Sequence, residues 1–119
     1  MEYTFTQKKY GVVVRISGRI LSMADSRELL TEFATWLEKG KYYFVIDLKE
    51  TEYVNSEGLN VLIKMLTQSR NFGGETIVCH VNKQLRDLFI ITKLSSIFTI
   101  TDTLKEAEEI MLRNMEPSV

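Results

Sequence analysis

The sequence predicts a small α/β domain in which a mixed, four- to five-stranded sheet is covered by about four helices. Two kinds of segment alternate along the 119 residues. Short β-branched runs such as Val12–Ile16 are typical of buried strands. Longer segments with apolar residues every three or four positions, such as Leu29–Leu37, are typical of helices that bury one side. Because strand and helix alternate after the first two strands, most of the sheet is expected to be parallel.

The first two strands and the first helix are predicted from residues near the N-terminus. Residues 3–7 alternate in polarity, and residues 12–18 are rich in β-branched side chains and end in glycine, so the pair is expected to form an antiparallel hairpin at the sheet edge. Asp25 and Glu28 suggest a capping-box-like start for the helix that follows. Gly40 is its expected stop, because glycine enters the left-handed conformation after a helix without steric cost.

The remaining elements repeat the pattern of strand followed by helix. Further strands are predicted at three apolar, β-rich runs: residues 42–48, 76–81 and 97–101. A second helix should start near Asn55 and Ser56, a third at Asn82, and a last one at the capping box formed by Thr103 and Glu106. The five methionines mostly read as core filler, Met115 among them, with Met23 as an exception in the linker before the first helix.

Composition and charge narrow the classes of function. The net charge is -1 and the isoelectric point is near 5.9, so the basic excess typical of nucleic-acid binding is missing. No apolar run is long enough to cross a bilayer, and the first residues lack the features of a signal peptide. We therefore expect a cytoplasmic protein with no nucleic-acid or membrane partner. Without a linker-like stretch, residues 1–119 are expected to form a single domain.

Ser56 is the residue whose position suggests regulation. A serine or asparagine at a helix start is a good N-cap, so Asn55 or Ser56 could serve only that structural role. The same position also suits a phosphate, since a helix N-terminus offers free amides and partial positive charge. A phosphoserine there would change charge and bulk for a docked partner while leaving the helix folded.

Other reactive side chains carry weaker predictions. Asp47, near the end of a strand, is expected to cap a turn more often than to join an acidic site. Cys79, the single cysteine, and His80, the single histidine, would point to opposite faces of a strand, which argues against a shared metal ion. No nucleophile with a base, acidic pair of a phosphoreceiver or phosphate-binding glycine loop is recognisable. We therefore expect no enzyme activity, cofactor or metal.

Four segments, taken together and in order, resemble the STAS domain family, and more closely its anti-sigma factor antagonist branch. They cover roughly residues 10–112: Val12–Gly18; Val45–Leu48; Val54–Leu62; and Thr92–Leu94 followed by Ile97–Ile100 and Leu104–Ala107. The resemblance implies a protein that binds an anti-sigma factor or serine kinase, with a phosphatase as a further partner. It also implies that phosphorylation of Ser56 ends the binding.

The resemblance further implies which residues touch the partner. They lie on the loop before the first helix and around the start of the second: Ser22, Met23, Asn55, Ser56, Glu57 and Asn60. Three positions depart from the family pattern. Asn55 stands in place of an aspartate, Glu57 in place of a small hydroxyl residue, and Leu21 where many members have aspartate. Leu21 and Asn55 favour an alternative, a constitutive scaffold or sensory module that binds partners without phosphorylation.

Overall fold

The structure is a computed structural model, and it describes residues 1–114; Met115 and the end of the predicted domain 1–119 lie outside that range. Its strands are β1 Glu2–Gln7, β2 Val12–Ile20, β3 Tyr43–Asp47, β4 Thr51–Val54, β5 Glu75–Cys79 and β6 Thr99–Thr101. Its helices are α1 Arg27–Glu38, α2 Ser56–Asn71, α3 Lys83–Ile91 and α4 Leu104–Asn114, with a short 3₁₀ helix at Leu94–Ser96.

The strands form one mixed sheet in the order β1-β2-β3-β5-β6, with β4 beside the end of β2. Strands β1 and β2 are antiparallel and the other pairs are parallel, as the sequence predicts. Several details differ from the prediction: β5 ends at Cys79 and not at residue 81, and β6 begins at Thr99 and not at residue 97. Strand β4 is an additional strand, and β2 does not end at Gly18 but continues to Ile20. The extra residues of β2 leave β3 and pair with β4, through a register shift at Gly18 and Arg19.

Helices cover both faces of the sheet. Successive residues of β2 point to opposite faces and therefore contribute to two separate cores. Val12 and Val14 belong to the larger core, which faces α1, α2 and α3, whereas Val13 belongs to a smaller core beneath α4. The largest buried side chains from the three helices of the larger core include Leu29, Phe33, Leu62, Met65 and Phe89. None of the helices within residues 1–114 has the length and hydropathy to span a bilayer.

The predicted starts of α3 and α4 are confirmed. The side chain of Asn82 accepts a hydrogen bond from the Leu85 amide at 2.9 Å, and the Thr103 hydroxyl accepts one from the Glu106 amide at 3.1 Å. The capping box predicted from Asp25 is wrong. Helix α1 follows Ser26, whose hydroxyl donates to the carbonyl of Ser22 at 2.8 Å and does not cap the helix.

Candidate functional site

The N-terminus of α2 is capped by Asn55. Its side-chain oxygen accepts a hydrogen bond from the Gly58 amide at 2.7 Å, and its carbonyl accepts one from the Leu59 amide at 2.8 Å. The capping role that the sequence left open between two residues therefore belongs to Asn55. Ser56 is the first residue of the helix and is exposed, and its hydroxyl has no hydrogen-bond partner within residues 1–114.

The first turn of α2 keeps unused hydrogen-bond donors. A helix has no internal acceptors for its first amides, and here Asn55 satisfies those of Gly58 and Leu59. The amides of Ser56 and Glu57 have no acceptor in the part of the chain that the structure describes. The exposed hydroxyl of Ser56 thus lies at a helix end that is electropositive and has free donors.

The loop between β2 and α1 is bound to this helix end. The carboxylate of Glu57 accepts a hydrogen bond from the backbone amide of Met23 at 3.2 Å. Ser22 shapes the same loop, because its hydroxyl accepts a bond from the Asp25 amide at 3.0 Å. The two segments that the family resemblance assigned to partner contact are therefore joined, although they are more than 30 residues apart in sequence.

Gly58 allows α2 to start close to the sheet. A Cβ atom at this position would overlap the backbone carbonyl oxygen of Ile20, near the end of β2. That oxygen also lies 3.4 Å from the amide of Asn55, which donates to it. Only glycine fits without moving helix or strand, so the position of Ser56 relative to β2 is fixed by backbone contacts.

The six predicted contact residues differ in exposure. Ser56, Glu57 and Asn60 are exposed, and Asn60 follows Ser56 by four residues on the same side of α2. Met23, predicted as a contact residue and as an exception to the core methionines, is half-buried and packs against the larger core. Its contribution to an exposed surface is therefore smaller than predicted.

A groove between α1 and α2 extends this surface, and the sequence prediction did not include it. The groove has a volume of about 570 Å³ and is lined in part by Met23, Arg27, Lys64 and Gln68. The side-chain oxygen of Gln68 is buried and has no partner within residues 1–114. Helical spacing could have found Lys64, because it follows Asn60 by four residues. The face of α1 that adjoins it could not be read from sequence.

A second group of reactive side chains lies where β3 and β5 end. The Asp47 carboxylate is buried, with one oxygen 2.9 Å from Nδ1 of His80 and the other 3.3 Å from Nε of Arg15. Asp47 also accepts a bond from the Lys49 amide at 3.0 Å, which confirms its predicted role in a turn. Burial raises the pKa of the Cys79 thiol to about 12, and the Asp47 carboxylate adds to the rise.

The prediction that Cys79 and His80 point to opposite faces is wrong. Strand β5 ends at Cys79, and His80 has a left-handed backbone with φ of 57°. This turn breaks the alternation of a strand and places Nδ1 of His80 3.9 Å from Sγ of Cys79. The ligand-type atoms of Asp47, Cys79 and His80 all lie within 4.8 Å of one another.

The loop after His80 holds the strand that leads to Ser56. The side-chain amide of Asn82 donates to the carbonyls of Thr51 and Glu52, at 3.2 and 3.3 Å. Gln84 pairs with both backbone groups of Val54, donating at 2.9 Å and accepting at 3.2 Å. Asn82 and Gln84 therefore hold the short strand β4 in place. Its last residue, Val54, immediately precedes Asn55.

Comparison with known proteins identifies relatives of this chain. The sequence profile described as STAS domain matches residues 3–107. BtrV of Bordetella bronchiseptica, named as an anti-sigma factor antagonist, is 28% identical over 97 residues, which are 82% of this chain and 84% of that protein.

Two solved structures share the architecture. The crystal structure described as an anti-sigma factor antagonist from Thermotoga maritima has a TM-score of 0.82 at 22% identity, over 93% of this chain and 95% of that one. The Bacillus cell fate determinant SpoIIAA in its phosphorylated form has a TM-score of 0.71 at 15% identity, over 91% and 97%. At these identities the two structures establish the shared fold.

Proposed function

The chain belongs to the STAS domain family, and we propose that it is a partner-switching regulator of the anti-sigma factor antagonist type. As a single cytoplasmic domain of residues 1–119, it binds an anti-sigma factor or serine kinase and catalyses no reaction itself. Phosphorylation of Ser56 ends the binding, and a phosphatase restores it. The proposed contact surface comprises Ser22, Met23, Asn55, Ser56, Glu57 and Asn60.

The observation that carries the proposal is the division of roles between Asn55 and Ser56. Asn55 already caps α2, so the helix does not depend on the Ser56 hydroxyl. That hydroxyl is exposed and free of hydrogen bonds to residues 1–114, as a residue that enters a kinase active site needs to be. A serine kept only for capping would be expected in the Asn55 position instead.

A phosphate on Ser56 would change the surface more than the fold. It would bring a charge of about -1.5 to -2 at pH 7 to a helix end whose two free amides can partly stabilise it. The adjacent Glu57 carboxylate would leave this surface with a concentrated negative charge. A partner docked here would then face like-charge repulsion or the cost of burying the phosphate, and would dissociate.

The surroundings of Ser56 support a local switch. Gly58 packs against the carbonyl of Ile20, and Glu57 binds the Met23 amide, so the surface is held in shape before a partner arrives. A preformed surface loses little conformational entropy on binding. Modification of one exposed hydroxyl can therefore control the affinity without unfolding a segment.

A constitutive scaffold is the second candidate, and Glu57 favours it. Its carboxylate already puts negative charge in the first turn of α2 and is engaged with the Met23 amide. A partner adapted to that charge would tolerate a further one at Ser56. The two candidates differ in what a negative charge at Ser56 does to binding.

The experiment is a pull-down from lysate of the source organism, with wild-type protein, Ser56→Ala and Ser56→Asp as baits. Phosphosites are mapped on the endogenous protein in parallel. We expect phosphate on Ser56, and a partner identified as an anti-sigma factor or serine kinase that Ser56→Ala retains and Ser56→Asp loses. Ser95→Asp is the matched control, because Ser95 is an exposed serine in the 3₁₀ helix outside the proposed surface.

Equal capture by all baits, with Ser56 unmodified, would contradict the switch and support the scaffold. Loss of the partner with Ser95→Asp as well would mean that added charge anywhere on the domain weakens binding, and would remove the support for a specific role of Ser56.

A further inference from the structure

We propose that Asp47, Cys79 and His80 form a binding site for one zinc ion, separate from the proposed partner surface and independent of the proposed function. The three side chains come from the ends of β3 and β5, next to each other in the sheet. They offer a carboxylate oxygen, a thiolate sulfur and an imidazole nitrogen, the three donor types that zinc takes in proteins.

The distances between the donor atoms suit a tetrahedral ion. With zinc–nitrogen bonds of about 2.1 Å and zinc–sulfur bonds of about 2.3 Å, a nitrogen and a sulfur ligand lie roughly 3.6 Å apart. The corresponding separation of His80 Nδ1 and Cys79 Sγ is 3.9 Å. A nitrogen and an oxygen ligand lie roughly 3.3 Å apart around such an ion, and the separation of His80 Nδ1 and Asp47 Oδ1 is 2.9 Å. The first pair would close slightly and the second would open slightly around the ion, and the third pair, Sγ of Cys79 and the Asp47 oxygen, lies within 4.8 Å.

Arg15 has a supporting place in this arrangement. Its Nε lies 3.3 Å from Oδ2 of Asp47. Oδ1, which faces His80, also accepts the Lys49 amide at 3.0 Å and would bind the ion through its second lone pair. Polar contacts of this kind help to orient a carboxylate ligand around a metal. The Asp47 carboxylate and a Cys79 thiolate together offset the charge of a divalent cation, and the positive charge of Arg15 is carried by a side chain that is 62% exposed. The thiol proton passes to solvent on binding.

A cavity gives the ion a route and an open position. The space has a volume of about 320 Å³, and its walls include Arg15, Asp47, Glu50 and His80. Cys79 is fully buried and does not line the cavity, so an ion would reach it past Asp47 and His80, which do. Water from the cavity supplies the fourth ligand. Magnesium and calcium are poor candidates, because both require more oxygen ligands than this cluster provides.

The test is a titration of tag-free, reduced, metal-depleted protein with cobalt(II), a spectroscopic substitute for zinc, followed by displacement with zinc. A thiolate bound to cobalt gives a charge-transfer band in the near ultraviolet. Because the chain has one cysteine and one histidine, such a band can come only from Cys79. We expect one ion per chain with this band, and release of cobalt by an equal amount of zinc.

Variants identify the ligands. Cys79→Ser is expected to abolish the band, and His80→Gln to weaken cobalt binding at least tenfold. The matched control is Glu50→Gln, which changes a carboxylate in the cavity wall outside the cluster and should bind within twofold of wild type. Circular dichroism verifies that each variant is folded.

The wild-type spectrum decides the proposal even if a variant fails to fold. Absence of the band, or a wild-type affinity no higher than that of the double variant Cys79→Ser with His80→Gln, would overturn it. In that case the Asp47–His80 hydrogen bond serves only to fasten the ends of β3 and β5.

Discussion

Replacing Gly58 by alanine tests how tightly the start of α2 is fixed against the sheet. In an ordinary helix position, this change would stabilise the protein by about 1 kcal/mol, because alanine has the higher helix propensity. Here the new Cβ would overlap the carbonyl oxygen of Ile20, a backbone atom that cannot rotate away. Overpacking of this kind costs about 1–3 kcal/mol and occasionally more.

The displacement would also break a hydrogen bond. The amide of Asn55 donates to the same Ile20 oxygen at 3.4 Å, and its loss costs about 0.5–1.5 kcal/mol. Because the clash and the lost bond together exceed the gain in propensity, we expect Gly58→Ala to be less stable by about 2 kcal/mol. In urea unfolding this should lower the midpoint by about 1 M, for a typical slope of about 1.5–2 kcal/mol per M.

Asn60→Ala is the matched control for this experiment. It lies in the same helix two residues further on, is exposed, and should change the stability by less than about 0.5 kcal/mol. A Gly58→Ala protein as stable as wild type, or more stable, would refute the inference that backbone contact with Ile20 fixes the position of Ser56.

Three further predictions concern individual contacts. Asn55→Ala should lower the free energy of unfolding by about 1 kcal/mol, because the Gly58 amide loses its acceptor, whereas Asn55→Asp should keep the cap. Glu57→Ala should speed hydrogen exchange at the Met23 amide, and Glu57→Gln should not, since an amide oxygen can still accept that bond. The Cys79 thiol should react with an aromatic disulfide at pH 8 at least a hundredfold more slowly in the native protein than in urea, because it is buried and its pKa is raised to about 12.

Each of these predictions has an outcome that would contradict it. Wild-type stability of Asn55→Ala would mean that the cap contributes nothing measurable. Unchanged exchange at Met23 in Glu57→Ala would mean that the loop is held by other contacts. Equal thiol reactivity in native and unfolded protein would place Cys79 at the surface, at odds with its burial in β5.

Local signals in the sequence predicted most of the fold and limited the cap of α2 to Asn55 or Ser56. Runs such as Val12–Val14 and the spacing of Leu59, Leu62 and Leu66 are strong patterns, because they reflect burial on one or both sides. Strand β4 escaped prediction because it has only four residues, two of them exposed, and pairs only with the end of β2. So short a segment has no distinct period of its own.

The site was predicted less completely, because its contacts join distant parts of the chain. A family resemblance could identify Met23 and Glu57 as contact residues, but it could not predict the hydrogen bond between them. Strand alternation failed at His80, where the backbone turns left-handed at a residue other than glycine. The cluster with Asp47 and Cys79 depends on that turn and on the pairing of β3 with β5, and neither could be predicted from a local sequence pattern.

The central claim is that a phosphate on Ser56 ends partner binding. The most direct test is to measure, by calorimetry at one salt concentration, the affinity of the captured anti-sigma factor for unmodified and for Ser56-phosphorylated protein. The account predicts that phosphorylation weakens binding at least tenfold, or about 1.4 kcal/mol, while the melting temperature of the free domain changes little. Equal affinity for the two forms, with phosphorylation verified by mass spectrometry, would contradict the account and leave the domain as a constitutive binder.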